Sequence, residues 1–231
     1  GAKQVVAKSK ILEASWPQHG VIAEPTRLRP VYAHKGGTRI QVTATGEAAH
    51  TSTGRGVSAN FLIAPFLAEM AELVSLFQSD QRFMNDEFDP PTNAFNMVIN
   101  DGGCQANVTA ARTVCTLSLR SMPDDHHQEA VQLILDSADR HNLDVDWYGF
   151  EPFYVTPDTP VVRAALETSG ATKPETVPFG TEAAVFKDHT ELVVLGPGNI
   201  LQAHTVGEWI DIAQLHDAVN VYKGMIEHFC T

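Results

Sequence analysis

The 231 residues carry 28 acidic against 16 basic side chains, a formal net charge of −12. Nucleic acid and anionic membrane need clustered Lys and Arg, so this balance argues against both as partners, though not against an anionic small molecule held by local charge. With 43% hydrophobic and 19% charged residues, the chain can build a globular core as one large domain or two small ones.

The opening segment, Ala2 to Ala14, predicts a helix with a weak apolar stripe (Val5, Val6, Ile11, Leu12) and no N-cap before it. A helix without a start signal suggests a piece cut from something longer. No apolar run follows its lysines as in a signal peptide. No run approaches the roughly 18 apolar residues of a membrane span. A turn at Trp16 to Gly20 leads into an apolar strand, Val21 to Ala23, stopped by Glu24-Pro25-Thr26, since proline cannot continue a central strand. Residues 38 to 45 alternate, with Ile40, Val42 and Ala44 on one face, as in a half-buried strand. A polar loop from Gly46 to Gly56 precedes an amphipathic helix over Val57 to Phe77, which Pro65 should kink or mark in its first turns. Strands are predicted at 93–99 and 112–119, parted by Asp101-Gly102-Gly103. A helix opens at Pro123-Asp124-Asp125 and runs to about Arg140, and a strand follows from Leu143 to Phe150. Helices at Thr159–Ser169 and Thr181–Phe186, a buried strand at Leu192–Leu195 bounded by Gly196-Pro197-Gly198, and a terminal helix from Glu208 to Phe229 complete the chain. The pattern predicts an inserted α+β domain over 35–142, flanked by pieces of an incomplete α/β domain at 1–34 and 143–231.

Chemistry-bearing residues are sparse. Glu24 at a strand's carboxyl end is a metal ligand or a solvated carboxylate. His204, beyond the later strand and the Gly196-Pro197-Gly198 turn, is a ligand or a structural histidine. His50, in a loop of small residues, could polarise a carbonyl oxygen or lie idle in solvent. Gly180-Thr181 could offer backbone N–H groups and a hydroxyl to a substrate carboxylate. His126 and His127 beside Asp124 and Asp125 read as a helix start rather than a metal cluster, and His189, His216 and His228 as structural. The cysteines, Cys104, Cys115 and Cys230, fit neither a disulfide framework nor a metal site and read as buried reduced thiols of a cytoplasmic protein. No P-loop, GxGxxG or GxSxG is present, which argues against a serine hydrolase.

Taken together, the segments Ala23-Glu24-Pro25-Thr26, Ala33-His34-Lys35-Gly36, Gly46 through His50 to Asn60, Asn100 to Gly103, Ala106 to Thr109, Leu119 to Pro123, Gly180 to Ala183 and Leu195 through Gly198 to His204 resemble the M20 metallohydrolases. The acetylornithine deacetylase branch is the most similar. The resemblance implies a zinc-peptidase-like α/β catalytic domain with an inserted ferredoxin-like lid that also makes a homodimer. It implies a centre of two zinc ions (or cobalt or manganese), with Glu24 on one metal and His204 on the other. His50 matches a lid histidine that stabilises the oxyanion in the partner's site, and Asn107, Arg120, Gly180 and Thr181 match positions that hold an N-acyl amino acid or dipeptide. The family's His-x-Asp motif, bridging aspartate and Glu-Glu pair have no counterpart here. The expectation is therefore a truncated or proteolysed piece, inactive alone unless a separate chain supplies the missing half, or a non-catalytic dimerisation or binding module. Succinyl-diaminopimelate desuccinylase and dipeptidase are the other activities considered within the family.

Overall fold

The computed structural model describes residues 1–124 and 126–230, in an α/β arrangement of two units, Gly1–Lys35 with Glu151–Thr231 and Gly36–Phe150. In chain order come α1 (Ala2–Lys8), α2 (Lys10–Ala14), β1 (His19–Ile22) and β2 (Val31–His34). The second unit follows with β3 (Gly37–Thr45), α3 (Ala59–Ser79), β4 (Ala94–Asn100), β5 (Arg112–Arg120), α4 (His127–Arg140) and β6 (Asp144–Phe150). The chain then returns to the first unit with β7 (Phe153–Tyr154), α5 (Pro160–Ser169), β8 (Glu175–Val177), α6 (Ala183–Phe186), β9 (Glu191–Val194) and α7 (Ile212–Cys230).

In the Gly36–Phe150 unit the strands lie in the order β4-β5-β3-β6, each pair antiparallel. The βαββαβ succession with the first and third strands central is the ferredoxin-like topology. The alternation in β3 decides which face is covered. Ile40, Val42 and Ala44 join Cys115, Leu117 and Leu119 of β5 in one core. Ile63, Phe66, Met70 and Phe77 of α3, with Ala130, Ile134 and Ala138 of α4, close over it, at the helical spacing that makes a single apolar stripe. By length and composition α3 is apolar enough to cross a membrane, which the sequence reading did not anticipate, but its buried stripe belongs to this core. Pro65 stands inside it, in the second turn. The helix starts later than predicted because Val57 pairs with Glu47 across the preceding loop. One boundary is corrected: this unit ends at Phe150, not at 142. β6 hydrogen-bonds along β3 from Gly37↔Phe150 to Thr43↔Asp144, and its predominantly exposed side chains hide that pairing from any apolar pattern. Asp124 accepts from the N–H of His126 at 2.9 Å just before α4, whereas Asp125, expected in the same helix start, lies outside the described residues.

In the other unit, a mixed sheet follows the path β1-β9-β2-β7, with β8 also on β2. β1 runs parallel to β9, in register from His19↔Glu191 to Ile22↔Val194. Its core joins Val31, Phe153, Ala183, Leu192 and Val194. The single predicted helix over 2–14 is two helices. Ser9 takes an extended conformation, and its hydroxyl accepts from Leu12 N–H at 3.3 Å, the serine habit of capping rather than continuing a helix. The last helix starts at Ile212 rather than Glu208, where the Asp211 carboxylate accepts from Ala213 N–H at 2.9 Å.

Candidate active-site segments

Two segments far apart in sequence are strapped together at the carboxyl ends of β1 and β9, where open α/β sheets hold ligands. Thr26 N–H and Leu28 N–H both donate to Gly196 C=O, at 3.1 and 2.9 Å, and Gly196 N–H donates to the Thr26 hydroxyl at 3.2 Å. A Cβ at residue 196 would stand 2.5 Å from Glu24 C=O. Only glycine therefore allows the Leu195–Gly198 turn to lie against Glu24. Glu24 itself is half-buried. Burial first, then the charge of Glu182, push its carboxyl above the usual range, and the nearby His204 pulls it back in part. Glu24, Glu182 and His204 thus share one neighbourhood, and a carboxylate held there against its own repulsion favours a cation. His204 is exposed, takes a left-handed φ of 58°, and donates its backbone N–H to the Glu208 carboxylate at 3.1 Å.

Thr181 is buried, just ahead of α6. Its hydroxyl accepts from Ala183 N–H at 3.1 Å, and its own N–H donates to Nε2 of His34 at 3.2 Å. The expectation that this N–H serves a ligand is corrected, because His34 already engages it. The Thr181 hydroxyl proton and the adjacent Gly180 remain for that role.

In the ferredoxin-like unit the loop carrying His50 is tied to the loop carrying Asn107. Thr51 N–H donates to Asn107 C=O at 2.9 Å, Thr109 N–H to Ala49 C=O at 2.9 Å, and His50 bridges Val108. Nδ1 of exposed His50 accepts from Ser52 N–H at 3.2 Å. In the neutral ring the proton therefore sits on Nε2, leaving an N–H donor facing outward. Arg120 closes β5 at its other end. Its guanidinium lies 5.8 Å from the centre of the Phe150 ring, and no acidic side chain pairs with it among the described residues.

The sequence matches Peptidase family M20/M25/M40 over residues 1–228. The chain belongs to this family. It is 31% identical over 236 residues to the acetylornithine deacetylase of Myxococcus xanthus, covering 96% of this chain and 60% of that protein. It is 29% identical over 240 residues to the acetylornithine deacetylase of Proteus mirabilis, covering 100% and 60%. Among solved structures, the fold is similar to aminopeptidase PepT from Bacillus cereus (TM-score 0.70, 18% identity, 98% of this chain and 61% of that one) and to human carnosine dipeptidase 1 (TM-score 0.62, 14% identity, 98% and 63%). The chain thus spans about three fifths of the relatives it matches.

Among the described residues no three His, Cys, Asp or Glu side chains converge as a metal site requires. Zinc takes about four ligands, so Glu24 and His204 do not hold one by themselves. Two further histidines are engaged locally: His189 stacks on Trp16 at 4.2 Å, and Nδ1 of His126 lies 2.7 Å from the Glu129 carboxylate. The three cysteines are free thiols, but only Cys115 is buried, and Cys230 is exposed at the end of α7, against the expectation of burial. His34 and Glu182 were missed as functional candidates. A histidine closing an apolar run at Val31-Tyr32-Ala33 was the available signal for the first.

Proposed function

We propose that this chain is the C-terminal portion of a metal-dependent amidohydrolase that releases the acyl group of an N-acyl amino acid, of acetylornithine deacetylase type. The observation that carries the reading is the Gly196 strap, which ties the Glu24 segment to the turn that leads on to His204 at one end of a sheet, together with the pull of His204 on the Glu24 carboxyl. Glu24 and His204 each supply one donor to a different ion of a two-metal centre, zinc or else cobalt or manganese. The remaining donors and the general base come from outside these residues, so the 231 residues alone do not hydrolyse. Arg120, a guanidinium without an acidic partner among the described residues, suits the substrate carboxylate, and Asn107, Gly180 and Thr181 hold the rest. His50 Nε2–H donates to the oxyanion as the carbonyl becomes tetrahedral.

The lid geometry supports a homodimer. β5 spans Arg112 to Arg120, roughly 26 Å at about 3.3 Å per residue, and the His50 loop lies beyond its Arg112 end. His50, and Asn107 on the loop tied to it, are therefore too far from Arg120 of the same copy to hold the same small substrate, so His50 and Asn107 serve the site of the other copy. Val98 and Ile99 on edge strand β4, with Phe61 and Leu62 of α3, are exposed apolar groups fit for that contact. Three cysteines without a disulfide among them suit a reducing, cytoplasmic setting. The test is hydrolysis of Nα-acetylornithine, N-succinyl-diaminopimelate and dipeptides by the protein expressed from its natural start codon, and by the 231 residues alone. Turnover of acetylornithine by the first only is expected. Preference for another substrate would move the chain to the desuccinylase or dipeptidase branch, and no turnover by either protein would leave a binding or dimerisation module.

A further inference from the structure

His34 ends β2 with its side chain fully buried. Its Nδ1 lies 2.9 Å from Lys35 C=O, and a carbonyl only accepts, so Nδ1 carries the proton. Nε2 is then a bare lone pair, and it accepts from Thr181 N–H at 3.2 Å. The ring is fixed against Phe153, with centroids 5.5 Å apart. Burial first and also the cation of Lys187 hold the ring neutral, with its pKa lowered to about 4. Lys187 in turn anchors the far end of α6, donating to the Glu151 carboxylate at 2.8 Å and to Pro152 C=O at 3.1 Å. The stretch from Thr181 to Lys187 is thus pinned at both ends to the start of β7 and the end of β2. Thr181 spends its hydroxyl oxygen on Ala183, so the His34 contact is what fixes its peptide plane.

We infer that His34 is a positioning residue: its Nε2 holds the Thr181 amide so that the Gly180–Thr181–Glu182 bend faces the substrate in one orientation. This rests on the proposed role of Gly180 and Thr181 in substrate binding. The position requires one atom that accepts at the reach of Nε2 and another that donates to Lys35 C=O. Glutamine can place its carbonyl at that reach, whereas leucine fills the volume and accepts nothing.

The experiment compares wild type, His34→Leu and His34→Gln in the protein expressed from its natural start codon. Amide hydrogen exchange over residues 178–187 is measured alongside steady-state kinetics on an N-acyl amino acid. His34→Leu should speed Thr181 exchange and raise KM, each about tenfold, the worth of roughly one hydrogen bond, with kcat within about threefold. His34→Gln should recover most of both. Unchanged Thr181 exchange in folded His34→Leu overturns the inference, as does equal damage in the two variants spread over all segments. Faster exchange with KM unmoved overturns the link to substrate. Should His34→Leu not fold, His34→Gln alone decides, since near-wild-type exchange and KM are required of it. The exchange measurement needs no turnover, so failure of this contact and failure of the proposed activity are read separately.

Discussion

Replacing Gly196 by alanine puts the strap itself under test. The added methyl would meet Glu24 C=O at 2.5 Å and the Ala23 carbonyl carbon at 2.8 Å, both backbone, so no side-chain rotation relieves it. To reach ordinary contact beyond about 3.4 Å, the turn must retreat by roughly 1 Å, stretching the hydrogen bonds between Gly196 and the Thr26–Leu28 segment. Overpacking of this kind costs about 1–3 kcal/mol, and weakened hydrogen bonds add about 1 kcal/mol, about 2–4 kcal/mol in all. For a chain of this size that is a fall in Tm of roughly 4–16 °C, read by circular dichroism at 222 nm. In the protein expressed from its natural start codon, metal affinity should fall with it, because the Glu24 segment loses its tie to the turn that leads to His204. A variant that melts within a degree of wild type and binds metal unchanged would refute the claim that residue 196 must be glycine for these segments to meet.

The other predictions concern pH, the lid histidine and assembly. His34 is neutral in the fold down to about pH 4 but titrates near 6.5 when unfolded. The unfolded chain therefore binds more protons between those values, and the His34 contribution, full above about pH 6.5, is lost as pH falls toward 4, by up to about 3 kcal/mol. Urea midpoints at pH 7.5 and 4.5 should converge in His34→Gln, and an unaltered pH slope would sink the assignment. Glu69, held at about 2 by Ser137 first and also by His141 and Arg140, loses its contribution only at lower pH, from about 4.5 downward, outside that window. His50→Ala should cut kcat by about 10²–10³, the worth of one oxyanion donor, with Tm unchanged because the ring is exposed; a loss confined to KM contradicts the role. Phe61→Asp should convert the dimer to monomer by light scattering at tens of micromolar, and a wild-type monomer under those conditions would remove the lid-swap argument altogether.

The parts legible in sequence were those with a period. The Ile40-Val42-Ala44 alternation and the α3 stripe gave the core face of the Gly36–Phe150 unit, because each side chain there has one covered and one open direction. β2 was not legible. All four of its residues are buried, so Val31 to His34 shows no alternation. β7 and β8 are too short to carry a pattern. Glu24 and His204 were identifiable only through resemblance, since spacing cannot show that two positions 180 apart meet. The physical trace that the structure does carry is Gly196, where any side chain would run into the Glu24 backbone carbonyl. His34 escaped because its role is a backbone contact made 147 positions away.

The central claim, that this chain supplies one donor to each of two metals, is tested most directly by metal stoichiometry. Zinc is counted by mass spectrometry in the protein expressed from its natural start codon, in Glu24→Gln, in His204→Ala, and in the 231 residues alone. The account predicts about two ions per chain in the first, about one in each variant, and none retained by the 231 residues. Two ions held by the 231 residues, or no loss in either variant, would contradict it.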